Sequence, residues 1–462
     1  MSTPREFDVV LYGATGFTGK ICAKYLSKHP QNPKWALAGR NSERLKDLRS
    51  KLDLGDHVGT IQANSFDPDS LDAMAKRVKV VINIVGPYRK NNAEAVVKAC
   101  VQNGTSYVDL SGETAFNATL IEKYHLAAQA KQSIIAPSVG FDSLPFDVTT
   151  FLAAQHAKQS AGPGSEIESV SVAVVAKGGI SSGTISSAID MHLDKSQLSP
   201  GKPDWLSPVS GRHTSDWYGS KYFPQFKKYG AFSPFTPHNH RIVNRTWGLL
   251  EQHESKLRYG KHFQYDDGII MPFRPLALLV SLFTRIFGWL IANVALVSSP
   301  LLLADVRFDP TASPDLTICY SLASRVRYCV SLTVDFNSIV LPPMKVRWLL
   351  TKTLPENGGP PENVLINGKI DARALAKTSG PESKRSICTM RAKGDPGYQL
   401  TARMIVETAL TICLESHRLP EIATKGGVLT PALVGADLIS ERLTRFADFT
   451  IECTEFEDPK SK

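Results

Sequence analysis

Cysteine is scarce in this sequence and poorly arranged for chemistry. Seven occur in 462 residues, at positions 22, 100, 319, 329, 388, 413 and 453. No C-x-x-C is present, so zinc cages and redox dithiols built on that spacing are excluded and no metal centre is expected. An odd number of cysteines in apolar stretches fits reduced, buried thiols in an intracellular protein. Met1–Asp8 holds no apolar run, so a cleaved secretory signal is not expected and the chain reads as not secreted. Asn103, Asn117 and Asn244 open N-x-T sequons that would matter only in a secreted chain. The histidines at 192, 213, 238, 240, 253 and 262 follow no metal-ligand rhythm; His238-x-His240 falls in a Pro-rich stretch read as a loop. Zinc spacing, Arg-rich helices and aromatic RNA-binding signatures are also missing, which argues against nucleic acid despite a net charge of +9. Tyr107 and Tyr124 lack a lysine four residues on, so the Ser-Tyr-x-x-x-Lys reductase subclass is disfavoured.

What is present begins at Asp8. Val9-Val10-Leu11-Tyr12 reads as a short buried strand, followed by Gly13, Gly16 and Gly19 and then a helical pattern through Ile21, Ala23, Tyr25 and Leu26. Strand, glycine turn and helix N-terminus in that order make a dinucleotide site. Gly13, Ala14, Thr15, Gly16, Phe17 and Thr18 are the residues expected to face the pyrophosphate, at the positive end of the helix dipole. A second strand, WALAGR, ends on Gly39-Arg40-Asn41-Ser42 where a site for the unphosphorylated cofactor usually carries an acid. A guanidinium there favours a 2′-phosphate, so NADPH is expected over NADH.

Further strands are expected at Gly59–Ala63, Val78–Val85, Tyr107–Leu110 and Ser133–Pro137, with helices at Asn41–Leu54 and Ala93–Asn103. The alternation predicts a doubly wound parallel α/β sheet. Turns at strand carboxyl ends face the cofactor crevice. Gly86, Pro87, Tyr88 and Ser111 are therefore candidate cofactor contacts, with Glu113 beside them. Tyr88, Asp142 and Ser143 are the candidate catalytic groups. Each has an alternative role in satisfying turn backbone.

YGATGFTG, LAGR, NIVGPY, VVKACVQNGTSYVDLSGE and GFDSLPFD together resemble the saccharopine dehydrogenase-like oxidoreductases. That family includes mycobacterial trans-acting enoyl reductases and eukaryotic members found on lipid droplets. The likeness continues through Lys177–Thr184, Gly394–Tyr398 and Gly426–Pro431. It implies a Rossmann domain over 1–145, an inserted α+β domain for substrate or dimerisation over 146–395, and return helices over 396–450. The apolar patterns at Gln399–Glu415 and Pro431–Phe446 support that return, and strands are expected at Val170–Ala176, Thr317–Leu322 and Tyr328–Val334. In the second domain the Lys177–Thr184 loop is the leading candidate for binding an anionic or carbonyl oxygen, the alternative being a hairpin turn.

Leu276–Ala304 departs from an ordinary oxidoreductase: twenty-nine residues with one ionised side chain, Arg285. As a continuous helix it would be about 44 Å long, against a bilayer core of about 30 Å. Gly288, Asn293 and Pro300 interrupt it, and both flanks belong to one domain, so an in-plane or hairpin attachment is expected rather than a span. Lys227, Lys228, Arg241, Arg245, Lys256, Arg258 and Lys261 stand upstream as candidates for anionic head groups. The alternative is a helix buried in the fold or at a homodimer interface. The combined expectation is an NADP-dependent reductase of a hydrophobic, lipid-linked substrate at a lipid-droplet, mitochondrial or endoplasmic-reticulum membrane surface. Two rivals stay open: a saccharopine-type amino-acid dehydrogenase, using arginines such as Arg325, Arg327, Arg391 and Arg403 on carboxylates, and a non-catalytic NADP-binding lipid-surface protein.

Overall fold

The structure is a computed structural model that describes residues 5–179, 202–211, 219–297 and 358–457, with side chains to Ile286 in the helix that closes the third stretch. The strands expected at Thr317–Leu322 and Tyr328–Val334, residues 180–184 of the glycine loop, Arg325, Arg327 and residues 298–304 of the apolar stretch lie outside the described residues.

Two seven-stranded sheets organise a unit made of Met1–Gly288 and Pro355–Lys462. The first contains β1 (Phe7–Tyr12), β2 (Trp35–Gly39), β3 (Gly59–Gln62), β4 (Val78–Asn83), β5 (Ser106–Asp109), β6 (Ile134–Ala136) and the two-residue β13 (Gly427–Val428). Their order is β13-β6-β5-β4-β1-β2-β3, every pair parallel. A parallel sheet is covered on both faces, which is why β1 and β4 read as near-continuous apolar runs. The helices α1 (Phe17–Leu26), α2 (Ser42–Lys51), α3 (Pro68–Lys76), α4 (Ala93–Gln102) and α5 (Thr114–Ala130) alternate with these strands. This is the doubly wound sheet expected from the sequence.

Helix α6 (Leu144–Ala161) leads out of the first sheet and packs on the second. There β7 (Ile167–Lys177), β8 (Ser220–Phe223), β9 (Lys228–Ala231), β10 (Gln264–Ile270), β11 (Lys369–Thr378), β12 (Arg385–Lys393) and β14 (Phe449–Glu455) lie in the order β14-β12-β11-β7-β10-β9-β8. Only β7 and β10 run parallel; the other pairs are antiparallel.

The chain then returns. The helix Thr401–Leu414 lies against α1, β1, β4 and β5, and the helix Pro431–Phe446 packs on it. A polar cluster centred on the buried Glu407 and Arg442 joins the three helices. Glu407 accepts hydrogen bonds from Tyr25 at 2.6 Å and Arg442 Nε at 2.9 Å, and lies 3.0 Å from His29 Nε2. Arg442 also donates to Gln31 and to Glu415.

The apolar stretch forms the helix Arg274–Val297. Its inner edge, Ala277 and Ser281, is buried, and Ser281 Oγ accepts from Phe232 N and donates to Gly219 O. Phe273, Leu278, Leu279, Leu282, Phe283 and Ile286 are all exposed, between 45% and 66%. Among the described residues no helix is long and apolar enough to cross a membrane.

Candidate nucleotide and substrate site

The three glycines after β1 are held for three different physical reasons. Gly13 has φ +93°, and a Cβ there would stand 2.7 Å from Val85 Cγ2. A Cβ on Gly19 would lie 2.4 Å from the Gly13 carbonyl oxygen, so only glycine lets α1 pack this closely under the turn. Gly16 differs: its Cβ would meet only the Gly13 oxygen, at 3.3 Å, and the residue is exposed. No side chain caps the N-terminus of α1, and its first turn holds no acid. The positive end of that helix therefore opens on exposed glycine backbone, which fits a pyrophosphate. Ala14 is buried under the turn, while Thr15 and Thr18 are half-buried. Phe17 packs sideways, edge-on to Tyr398 at 5.4 Å, and the backbone of Gly359 is pressed against its ring.

At the end of β2, Gly39 leads to Arg40, whose side chain is exposed. Asn41 caps α2, its Oδ1 accepting from Arg44 N at 3.0 Å. That occupies the side chain expected to touch the cofactor, leaving Arg40 as the free polar group of the trio. The exposed Arg40 guanidinium fits a phosphorylated ribose.

The Gly86-Pro87-Tyr88 turn follows β4, with Gly86 exposed and Pro87 half-buried. Tyr88 was expected to face the cofactor or donate a proton; the structure turns it inward. Its ring stacks on Phe116, and its hydroxyl donates to Asn83 O and accepts from Leu110 N. Burial pushes the phenol well above its ordinary range. A hydroxyl engaged on both sides and closed to solvent braces the turn instead of serving a substrate. Glu113 braces the same turn from below, accepting from Tyr88 N at 2.7 Å and Arg89 N at 3.2 Å.

Beneath lies a buried network invisible to motif reading. Asp109 Oδ1 accepts from Ser111 N and Ser138 N, and its Oδ2 from Tyr107. Tyr107 in turn accepts from Asn83 Nδ2. Burial raises the Asp109 carboxyl to about 7 despite these donors. His238 closes the network, with Nδ1 2.8 Å from Thr114 Oγ1 and Nε2 3.1 Å from Ser138 Oγ. Burial, with Arg241 adding to it, lowers His238 to about 3, so the ring is neutral near pH 7. The pair His238 and His240 opens the helix Thr236–Gln252 and is not in a loop; Pro237 sits in its first turn. Among the described residues no cluster could hold a metal ion.

Asp142 is the exception to this satisfaction. It keeps partial exposure and lies at the carboxyl ends of the first sheet, where a Cβ on Gly112 would be 3.7 Å from its Oδ2. Among the described residues no hydrogen-bond partner meets it, and dense surroundings push its carboxyl up to about 6. An accessible carboxyl poised near neutrality is the profile of a proton donor. Ser143, the residue that precedes α6, is fully buried and its hydroxyl donates to Asn239 Oδ1 at 3.4 Å.

The Gly394–Tyr398 motif works as a clasp. Asp395 accepts from Gly179 N at 2.6 Å and from Tyr398 N at 2.9 Å. A Cβ on Gly178 would stand 2.5 Å from that carboxylate. The described start of the Lys177–Thr184 loop is thereby fastened to the residues that cover Phe17.

Comparison with known proteins gives the same reading. Residues 9–136 match the model of the saccharopine dehydrogenase NADP-binding domain. A Mycobacterium tuberculosis protein provisionally named a trans-acting enoyl reductase is 32% identical, the match covering 96% of each chain. The trans-acting enoyl reductase of Mycobacterium leprae is 43% identical over 150 residues, 32% of this chain and 35% of that one. In fold, the saccharopine dehydrogenase (L-Glu forming) of Saccharomyces cerevisiae aligns over 98% of this chain and 100% of its own, with a TM-score of 0.53 at 14% identity. The glycine turn, the parallel sheet and full-length likeness together place the chain in the saccharopine dehydrogenase-like family of NADP-binding oxidoreductases.

Proposed function

We propose that the protein is an NADPH-dependent reductase acting on a hydrophobic, lipid-linked substrate at a membrane or lipid-droplet surface. The observation that carries the reading is the exposed apolar strip over 273–286, at the start of the helix Arg274–Val297 and on the same unit as the nucleotide sheet. The named activity of the mycobacterial relatives, enoyl reduction, supports the reaction class.

The glycine backbone at Gly13–Thr18 would hold the pyrophosphate, Arg40 a 2′-phosphate, and the exposed Gly86-Pro87 lip the nicotinamide side. When bound, NADPH supplies a hydride. The chain's part is to carry the proton: Asp142, protonated below about pH 6, delivers one from its carboxyl oxygen to the substrate atom that gains electron density. The buried Asp109–Ser111–Ser138–His238 network fixes the Ser111–Glu113 turn against which that carboxyl stands.

The saccharopine-type rival calls for arginines converging on carboxylates. Arg391 instead pairs with Asp371 at 3.3 Å, and Arg403 donates to Ala447 O and pairs with Asp448. The test is loss of nicotinamide absorbance on mixing protein, NADPH and either lipid-linked enoyl or carbonyl compounds, or saccharopine. Turnover with the lipid-linked class is expected, with Arg40→Ala raising the KM for NADPH about tenfold and leaving that for NADH unchanged. Tight NADPH binding with no oxidation by any lipid would instead favour the non-catalytic binding protein.

A further inference from the structure

The two cysteines Cys388 and Cys453 face each other across the ladder between β12 and the edge strand β14. Phe456 N donates to Arg385 O, which marks 385–456 as a hydrogen-bonded pair. Antiparallel pairs alternate, so 387–454 is also hydrogen-bonded and 388–453 is not. In a non-hydrogen-bonded pair the Cα atoms approach to about 4.5 Å, inside the window of about 4.4–6.8 Å that a disulfide spans. Cys388 is fully buried and Cys453 half-buried, and both thiols are free. Among the described residues no other cysteine stands opposite a second one: Cys22 and Cys100 are sealed in α1 and α4, and Cys413 lies on the helix Thr401–Leu414.

We propose that Cys388 and Cys453 form an oxidation site that closes to a cross-strand disulfide when a peroxide reaches Cys453. The chemistry balances in two steps. The Cys453 sulfur takes one oxygen from hydrogen peroxide, giving a sulfenic acid and one water. The Cys388 sulfur then attacks the Cys453 sulfur, and the hydroxyl leaves with the Cys388 proton as a second water. Two thiols are oxidised, one peroxide is reduced, and nothing else is consumed.

The sequential order follows from exposure. Hydrogen bonding with Cys453 and burial hold the Cys388 thiol well above its ordinary range, so it does not react first. The bond would tie the edge strand to β12 and close a chain loop that contains both return helices, Thr401–Leu414 and Pro431–Phe446. It leaves the glycine turn and Asp142 untouched, so it stands or falls separately from the proposed reaction.

Full-length protein treated with hydrogen peroxide, alkylated and mapped without reduction should yield a peptide joining positions 388 and 453, lighter by two hydrogens than the separate thiols. The melting temperature should rise by about 5 °C and fall back on adding dithiothreitol. Cys453→Ser should abolish both the link and the rise. The proposal is overturned if Cys453 is driven to sulfinic acid while Cys388 stays alkylatable, or if the link joins any other pair.

Discussion

Asp142 is the proposed proton donor because, among the described residues, no hydrogen-bond partner meets this half-buried carboxyl at the sheet's carboxyl ends. As a donor it must be protonated, so turnover should be full below about pH 6 and fall as pH rises through that value. Asp142→Asn should lower kcat about a hundredfold or more without changing the Kd for NADPH, measured by stopped-flow and by fluorescence titration. A flat pH profile together with an active asparagine variant would remove the assignment. The same carboxyl affects stability with a definite sign. Its folded value lies above the ordinary carboxylate range of about 4, so the folded state holds the proton more tightly. Its contribution is complete below about pH 4 and is lost as pH climbs through about 6, a slope that Asp142→Asn flattens. The sequence made Asp142 a candidate through its place after a strand, but placed Tyr88 and Ser143 beside it on the same ground. Position in the chain does not tell which way a side chain turns: Tyr88 and Ser143 are spent on the core, and His238 enters the network from a segment a hundred residues away.

At the scale of elements, the helix Arg274–Val297 shows how one amphipathic pattern divides between fold and surface. Ala277 and Ser281, four apart, lie on the edge that docks on the β8–β9 hairpin. Leu278, Leu279, Leu282, Phe283 and Ile286 form the opposite, exposed strip, with Lys227 and Lys228 exposed on the same hairpin. Such an exposed apolar strip is what the proposed lipid attachment would use. Arg241 and Arg245, expected to meet head groups, do not: both are buried, and Arg245 donates to Leu206 O and Val428 O. The double substitution Leu279→Glu and Phe283→Glu should cut co-sedimentation with vesicles containing anionic lipid about tenfold or more, while the melting temperature stays unchanged because both side chains are already exposed. Unaltered co-sedimentation would refute the attachment. The Rossmann elements were legible because their signals are local: a buried run, a glycine turn, a periodic helix. Of the second sheet the strand expected at Val170–Ala176 is found as β7, but its pairing was not legible, because β7 pairs with β11 two hundred residues later and no local pattern records that partner.

For the whole molecule the question is what makes the C-terminal stretch return to a sheet it left near residue 144. Apolar packing on α1 gives the attraction, but the buried cluster at Glu407 gives the register. Glu407 and Arg442 are fully buried, and their charges are tolerable only because Tyr25, His29, Gln31 and Glu415 complete the hydrogen bonding. Breaking one partner leaves a buried charge alone, whereas removing both leaves mainly a packing defect. Arg442→Met should therefore cost about 3–5 kcal/mol, read as a drop in the urea midpoint. Adding Glu407→Gln to it should restore a substantial part of that loss. The same pair bears on the proposed cofactor site, because Tyr25 lies in the last turn of α1 and His29 just beyond it, at the end opposite the glycine turn. If the return helices orient α1, Arg442→Met should also weaken NADPH binding under conditions where the protein is still fully folded, although the substitution lies on the opposite end of that helix. If binding is unchanged while stability falls, the cluster fastens the return without setting the nucleotide site.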